Sequence, residues 1–242
     1  AEDGVEDKVY CCTVPETHSI TTAVGIETGQ CGEIPLVPFE NCNLGHVTLG
    51  LYYNKHAKAF DSFRLMARYL VRATFGDVTN PVQRKIVDRN RRTGVGFFGY
   101  QDFCVKQGIK YSESYTNQDI RNFLQEAYRT VRKASDEYAF QLRIPAPIKC
   151  TTVAPTGTIA KLAGVSEGLQ TIMFRYGKRR MNLSTIDPTQ RAQLEEFKRK
   201  GYFVEPSVYS ANTEVVQFIY KDKLVEEVEA LGYDAANLVE SA

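Results

Sequence analysis

Cys31 and Cys42 stand eleven residues apart in this chain, with Glu33 between them. A thiol hydrogen is weakly held and can leave as an atom, a carboxylate can take a proton from a neighbouring hydroxyl, and a second thiol can supply reducing equivalents by closing a disulfide. The trio suits radical and disulfide chemistry. A second feature is Pro155-Thr156-Gly157-Thr158-Ile159, which leads from a β-prone stretch into a helical one. Strand, a turn rich in Gly and hydroxyls, then helix is a general phosphate-binding device, because open backbone N–H groups meet the positive end of a helix there. No Gly-Lys-Ser/Thr is present, which argues against a P-loop NTPase.

Several elements must position these groups. Phe60, Phe63, Leu65, Met66, Leu70 and Val71, spaced among Lys and Arg, predict an amphipathic helix within 52–76 that ends at Gly76-Asp-Val-Thr-Asn-Pro81. A second helix leads into Asn90-Arg-Arg-Thr-Gly94-Val-Gly96-Phe-Phe-Gly99. A third is expected over about 117–139, with cap candidates in Thr116-Asn-Gln-Asp. Lys149–Ala154 reads as a strand, 193–200 as a charged helix, Gly201-Tyr-Phe-Val-Glu and 211–219 as strands, and 221–231 as a helix with a solvated charged face. A dinucleotide loop is the competing reading of the glycine string, but no patterned strand precedes it and no acidic residue follows at the needed distance.

Composition narrows the class. A chain of 242 residues that is 43% hydrophobic and 24% charged, with net charge +1, can bury a core and has no general affinity for nucleic acid or membrane. The acidic start is unlike a signal peptide, so a cytoplasmic location is expected. Six cysteines, at 11, 12, 31, 42, 104 and 150, are too scattered for a disulfide scaffold, and no CxxC pair suggests zinc. Cys104 and Cys150 read as inert buried thiols. His46 and His56 lack a carboxylate partner at metal-site spacing and read as packing or surface residues, so no metal site is expected.

Cys31-Gly-Glu33-Ile-Pro-Leu followed by Cys42-Asn-Leu resembles the catalytic loop of the ribonucleotide reductases. The resemblance continues through Asn90-Arg-Arg-x-Gly-x-Gly-x-x-Gly99 and through Ala154-Pro-Thr-Gly-Thr-Ile-Ala-Lys-Leu-Ala-Gly-Val-Ser-Glu-Gly168. It implies an α/β fold in which 31–242 form part of the family's ten-stranded barrel, with Cys31 on a loop threaded through its centre. It implies that Cys31 carries the thiyl radical, that Glu33 is the general base, and that Cys42 is half of a reducing pair renewed by an external dithiol such as thioredoxin. Pro155–Ile159 would hold the phosphates of a ribonucleotide substrate. The form Ala-Lys-Leu-x-Gly-Val-Ser-Glu-Gly with Tyr176-x-x-Arg179-Arg180 looks most like the adenosylcobalamin-dependent triphosphate reductases, which implies that cofactor; Gln170-Thr171 departs from their His-Pro. The alternative within the family is a diiron-dependent enzyme, whose metal sits in another subunit.

Residues 1–30 read differently: β-prone, short-stranded and broken by Pro15 and Gly25. They resemble the C-terminal end of an intein, with a domain boundary at Gln30/Cys31. In that resemblance Cys11 and His18 assist splicing, the Gln30 side chain cyclises to cut its own peptide bond, and Cys31 first holds the upstream extein as a thioester. Gly29 replaces the usual penultimate histidine, and Gln30 the usual asparagine. The reductases carry Asn-Pro before the catalytic cysteine where this chain has Gly29-Gln30, a mismatch that an inserted intein explains. The expected partners are then an upstream reductase and intein half, and the chain alone, as a piece of a catalytic subunit or a splicing precursor, is expected to be inactive as a reductase.

Overall fold

The computed structural model describes residues 36–242, Ile34, and the short stretches 19–21 and 27–29. The last two are β1 (Ser19–Thr21) and β2 (Glu27–Gly29), paired antiparallel with Ser19 opposite Gly29. β3 (Asn43–Thr48) and a 3-10 turn at Leu49–Leu51 lead into α1 (His56–Ala73), followed by α2 (Pro81–Asn90), β4 (Thr93–Phe98), α3 (Tyr100–Val105) and the long α4 (Gln118–Leu142). Then come α5 (Gly157–Ala163), β5 (Tyr176–Ser184), α6 (Pro188–Arg199), β6 (Phe203–Pro206), β7 (Thr213–Lys221), α7 (Lys223–Ala230) and α8 (Ala235–Leu238). Two compact units result, one made of the described residues up to 45, 64–96 and 130–154, the other of 46–63, 97–129 and 155–242.

Local chemistry explains where the helices start. Asn80 accepts hydrogen bonds from the N–H groups of Val82 and Gln83, and Pro81 occupies the first helical position of α2, where a missing N–H is harmless. Asp187 and Pro188 do the same for α6, Asn117 caps α4 through the N–H groups of Asp119 and Ile120, and Asp222 caps α7. In α1 the buried stripe is Ala59, Phe63, Ala67, Leu70 and Val71. Leu65, expected on that face, is 68% exposed, because two residues turn the helix about 200° away from Phe63.

The sheets are small and open. β3 pairs with β4, and β5, β7 and β6 form an antiparallel sheet with β7 in the middle. Among the described residues no sheet closes on itself. The expected strand at Lys149–Ala154 is reduced to a bridge: Thr151 pairs in parallel with Val95, and the Val95 N–H donates to the Cys150 carbonyl. β5 was not expected as a strand. Its register with β7 runs from Tyr176 opposite Lys221 to Ser184 opposite Thr213, and Leu183, Val204, Val216 and Phe218 pack with Leu194 and Phe197 of α6. Gly94 and Gly96 lie inside β4 rather than in a turn, which disposes of the dinucleotide-loop reading.

Candidate functional site

In the first unit the described part of the thiol loop begins at Ile34 and ends at Cys42. Cys31 and Glu33 lie outside the described residues, as do Cys11, His18 and Gln30. Cys42 is half-buried and stands immediately before β3. Ahead of it, Val37-Pro38-Phe39-Glu40 forms a tight turn closed by the Glu40 N–H on the Val37 carbonyl at 3.0 Å, with Phe39 at φ 63°. The Glu40 side chain is 1% exposed. One carboxylate oxygen accepts from the Val37 N–H at 3.0 Å, and the other accepts from the Asn90 amide at 2.8 Å and lies 2.9 Å from Arg92 Nε. Burial opposes the charge on Glu40, but the Arg92 side chain, the Val37 N–H and the Asn90 amide outweigh it, and its pKa falls below the ordinary glutamate value.

In the second unit the loop at Pro155–Ile159 opens α5. Thr156 takes a left-handed conformation, φ 55°, and its hydroxyl is committed inside the protein: it donates to the Pro155 carbonyl at 2.7 Å and accepts from the Gly168 N–H at 3.0 Å. Thr158 is exposed. The helix ladder begins with the Ala160 N–H on the Thr156 carbonyl, so the N–H groups of Gly157, Thr158 and Ile159 precede it. The following turn is held from α3. The Asp102 carboxylate, fully buried, accepts from the Ser166 N–H at 2.8 Å, and the Gly99 N–H donates to the Ser166 carbonyl.

Asp102 belongs to a buried charge cluster. Lys106 Nζ lies 3.7 Å from it and 2.5 Å from Glu227. Burial pushes the Asp102 pKa up, while Ser166 and Lys106 pull it back. Sequence reasoning missed Asp102 and Glu40. The spacing of Asp102 and Lys106, one helical turn apart, was the only local signal.

Beyond the loop, a cavity of about 840 Å³ is lined by Lys161 of α5, the Gly164–Glu167 turn, Lys178 and Arg179 of β5, and Lys221 and Lys223. Its size falls in the range of roughly 300–1,000 Å³ typical of small-molecule sites. None of Pro155–Ile159 lines it; the cavity begins one turn further along α5. Lys161 pairs with Glu167 at 2.8 Å, Lys223 with Glu227 at 3.3 Å, and Lys221 with Glu229. Arg179 lies over the Tyr220 ring at 5.2 Å.

The residues set aside in the sequence are packed as expected. Cys104 and Cys150 are buried, and burial pushes both thiols up, Cys104 to about 11. The His56 ring packs against Phe103 at 5.6 Å and Phe123 at 4.8 Å. No helix of the described residues is long and apolar enough to cross a membrane.

Residues 21–147 match the family model described as the ribonucleotide reductase barrel domain, a match that opens ten residues before Cys31. A protein of Mycobacterium phage D29, named as an adenosylcobalamin-dependent ribonucleoside-triphosphate reductase, is 44% identical over 223 residues, covering 89% of this chain and 32% of its own length. The enzyme of that name from Levilactobacillus brevis is 37% identical over 217 residues, covering 83% of this chain and 28% of its own. The chain therefore spans about a third or less of these relatives. A crystal structure of a B12-dependent, class II ribonucleotide reductase superposes with a TM-score of 0.66 at 31% identity, over 80% of this chain and 29% of that one.

Proposed function

The chain belongs to the ribonucleotide reductase barrel-domain family, and from that premise we propose that it is the part of an adenosylcobalamin-dependent ribonucleoside-triphosphate reductase that carries catalytic thiols and binds substrate phosphates. A radical on the Cys31 sulfur takes the ribose 3′ hydrogen atom, and Glu33 takes the proton of the neighbouring hydroxyl. Cys42 and a second cysteine pass from thiols to a disulfide; their two electrons and two protons replace the departing hydroxyl by hydrogen and release water. A thioredoxin-like dithiol then reduces the disulfide by exchange. When bound, adenosylcobalamin supplies the radical that Cys31 carries.

The observation that carries the reading is the second unit's arrangement around α5. The open N–H groups of Gly157, Thr158 and Ile159 sit at the positive end of the helix, and the adjacent cavity draws Lys161, Lys178, Arg179, Lys221 and Lys223 to its walls. That combination suits a polyphosphate. The test is deoxynucleotide formation by the full-length reductase containing this chain, given adenosylcobalamin, a dithiol and a ribonucleoside triphosphate. Product is expected from the wild type and none from Cys31→Ala; equal product from both overturns the reading.

Residues 1–30 carry a second proposed activity, splicing, supported by Cys11, His18 and the Gln30/Cys31 junction. Mixed with a matching upstream half, the chain should release a 30-residue peptide and join Cys31 to the upstream extein. Intact mass decides: Cys31→Ala should block joining, and an uncut Gln30/Cys31 bond in every variant refutes splicing.

A further inference from the structure

The described part of the thiol loop is fastened at two points to one short string, Asn90-Arg91-Arg92-Thr93-Gly94. The first point is Glu40, two residues before Cys42. Its buried carboxylate is held by the Asn90 amide at 2.8 Å, by Arg92 Nε at 2.9 Å and by its own turn through the Val37 N–H at 3.0 Å. The second is Ile34, directly after Glu33. Gly94 lies beneath it so closely that a Cβ there would stand 2.6 Å from Ile34 Cδ1 and 2.7 Å from Leu44 Cδ2. Leu44 in turn follows Cys42 by two residues. The turn between the two points holds a bulky residue, Phe39, at φ 63°, a conformation that persists only where the surroundings impose it. Here Pro38 and the Glu40 contacts impose it.

We propose that Asn90, Arg92 and Gly94 are the seat of the described end of the thiol loop, and that Glu40, clamped by Asn90 and Arg92, is the positioning residue that sets where Cys42 stands. The assignment rests on the reading of Cys42 as a reductant. It differs from a packing role for the glycine string, since the string acts here on the loop's polar anchor Glu40 and on Leu44, which stand two residues either side of Cys42. A charge on Glu40 held by the Asn90 amide and by the ion pair with Arg92 defines one loop position. Without it, the strained turn has no reason to stay closed, and Cys42 moves with it.

The experiment uses the full-length reductase with Glu40→Ala, Glu40→Gln, Arg92→Lys and Gly94→Ala. One readout is the rate of iodoacetamide alkylation at Cys42 resolved by mass spectrometry, with buried Cys104 and Cys150 as fold controls. The other is the split of kcat from KM for the ribonucleotide. Displacement of a reacting group by about 1 Å can slow catalysis about 100-fold. Glu40→Ala and Gly94→Ala should therefore lower kcat by about that factor with KM within about twofold, while Cys42 labelling accelerates about tenfold and Cys104 and Cys150 stay protected. Glu40→Gln, which keeps an acceptor for Asn90 but loses the charge, should fall between wild type and Glu40→Ala. Unchanged kcat and unchanged Cys42 labelling in folded variants overturn the proposal. If Glu40→Ala or Gly94→Ala exposes Cys104 and Cys150, Arg92→Lys and Glu40→Gln decide by the same two criteria. Absence of reductase activity in the wild type would sink the functional reading instead, and the Cys42 labelling comparison would still decide the clamp.

Discussion

Thr156 and Thr158, two residues apart in the proposed phosphate loop, should fail in different ways when each is replaced by valine. The Thr156 hydroxyl proton goes to the Pro155 carbonyl at 2.7 Å, and its oxygen holds the N–H of buried Gly168 at 3.0 Å. Valine keeps the shape and strands that N–H, which costs about 1–3 kcal/mol when the group cannot reach water. The β-branched side chain also sits at φ 55°, so the loop already holds strain of about 1–3 kcal/mol and depends on such bonds to stay in place. Thr158 is exposed and has no such internal duty. If it donates to a phosphate, losing a hydrogen bond to a charged partner costs about 1.5–3 kcal/mol, roughly tenfold to a hundredfold in affinity. Urea unfolding read beside isothermal calorimetry with a ribonucleoside triphosphate separates the two. Thr156→Val should lower the unfolding midpoint, and Thr158→Val should leave the midpoint unchanged and weaken binding. If Thr158→Val binds normally, or Thr156→Val unfolds like the wild type, the assignment of duties within the loop is wrong.

Three further outcomes follow from the same geometry. Asp102→Ala removes one carboxylate beside buried Lys106 and the acceptor of the Ser166 N–H, and breaking a buried pair costs about 3–5 kcal/mol; a denaturant midpoint within error of wild type would contradict it. Gly99 stands at φ 70° with the Gly50 nitrogen 3.0 Å and a Val165 methyl 3.1 Å from where a Cβ would be, so Gly99→Ala should destabilise by about 1–3 kcal/mol, and a calorimetric melting temperature equal to wild type would contradict that. The Glu40 carboxyl titrates lower folded than unfolded, so its ionised form stabilises the fold above the unfolded value of about 4.3 and the stabilisation is lost as pH falls through the folded pKa. The stability gap between wild type and Glu40→Gln should then be widest above about pH 5 and close in acid; a gap that stays constant from neutral to acid pH would refute the charge as the source.

The sequence revealed most where the signal was local. α4 and α7 lie within a few residues of their expected spans, because Asn117 and Asp222 are chemical start signals that need no distant partner, whereas α6 begins five residues before the expected 193, at the start signal Asp187-Pro188 that the periodicity passed over. The thiol loop and the proposed phosphate loop stood out as strings, though Cys31 and Glu33 lie outside the described residues. β5 did not stand out, because Lys178, Arg179, Arg180 and Met181 show no alternation; its strand exists through nine paired positions with β7, which begins some thirty residues later. The two supports of the candidate site were hidden for the same reason. Ser166 lies 64 residues from Asp102, and Asn90 lies 50 from Glu40, separations at which neither spacing nor propensity speaks. What a short motif can state is which groups react. Where they stand is set by buried carboxylates whose partners the chain brings from elsewhere, and a buried carboxylate is tolerated only where such partners repay its lost hydration. Glu40 and Asp102 are therefore the positions at which burial itself points to a purpose, and each ends on the loop next to a proposed reactive group: the turn before Cys42 for one, the Val165–Gly168 turn behind Thr156 for the other.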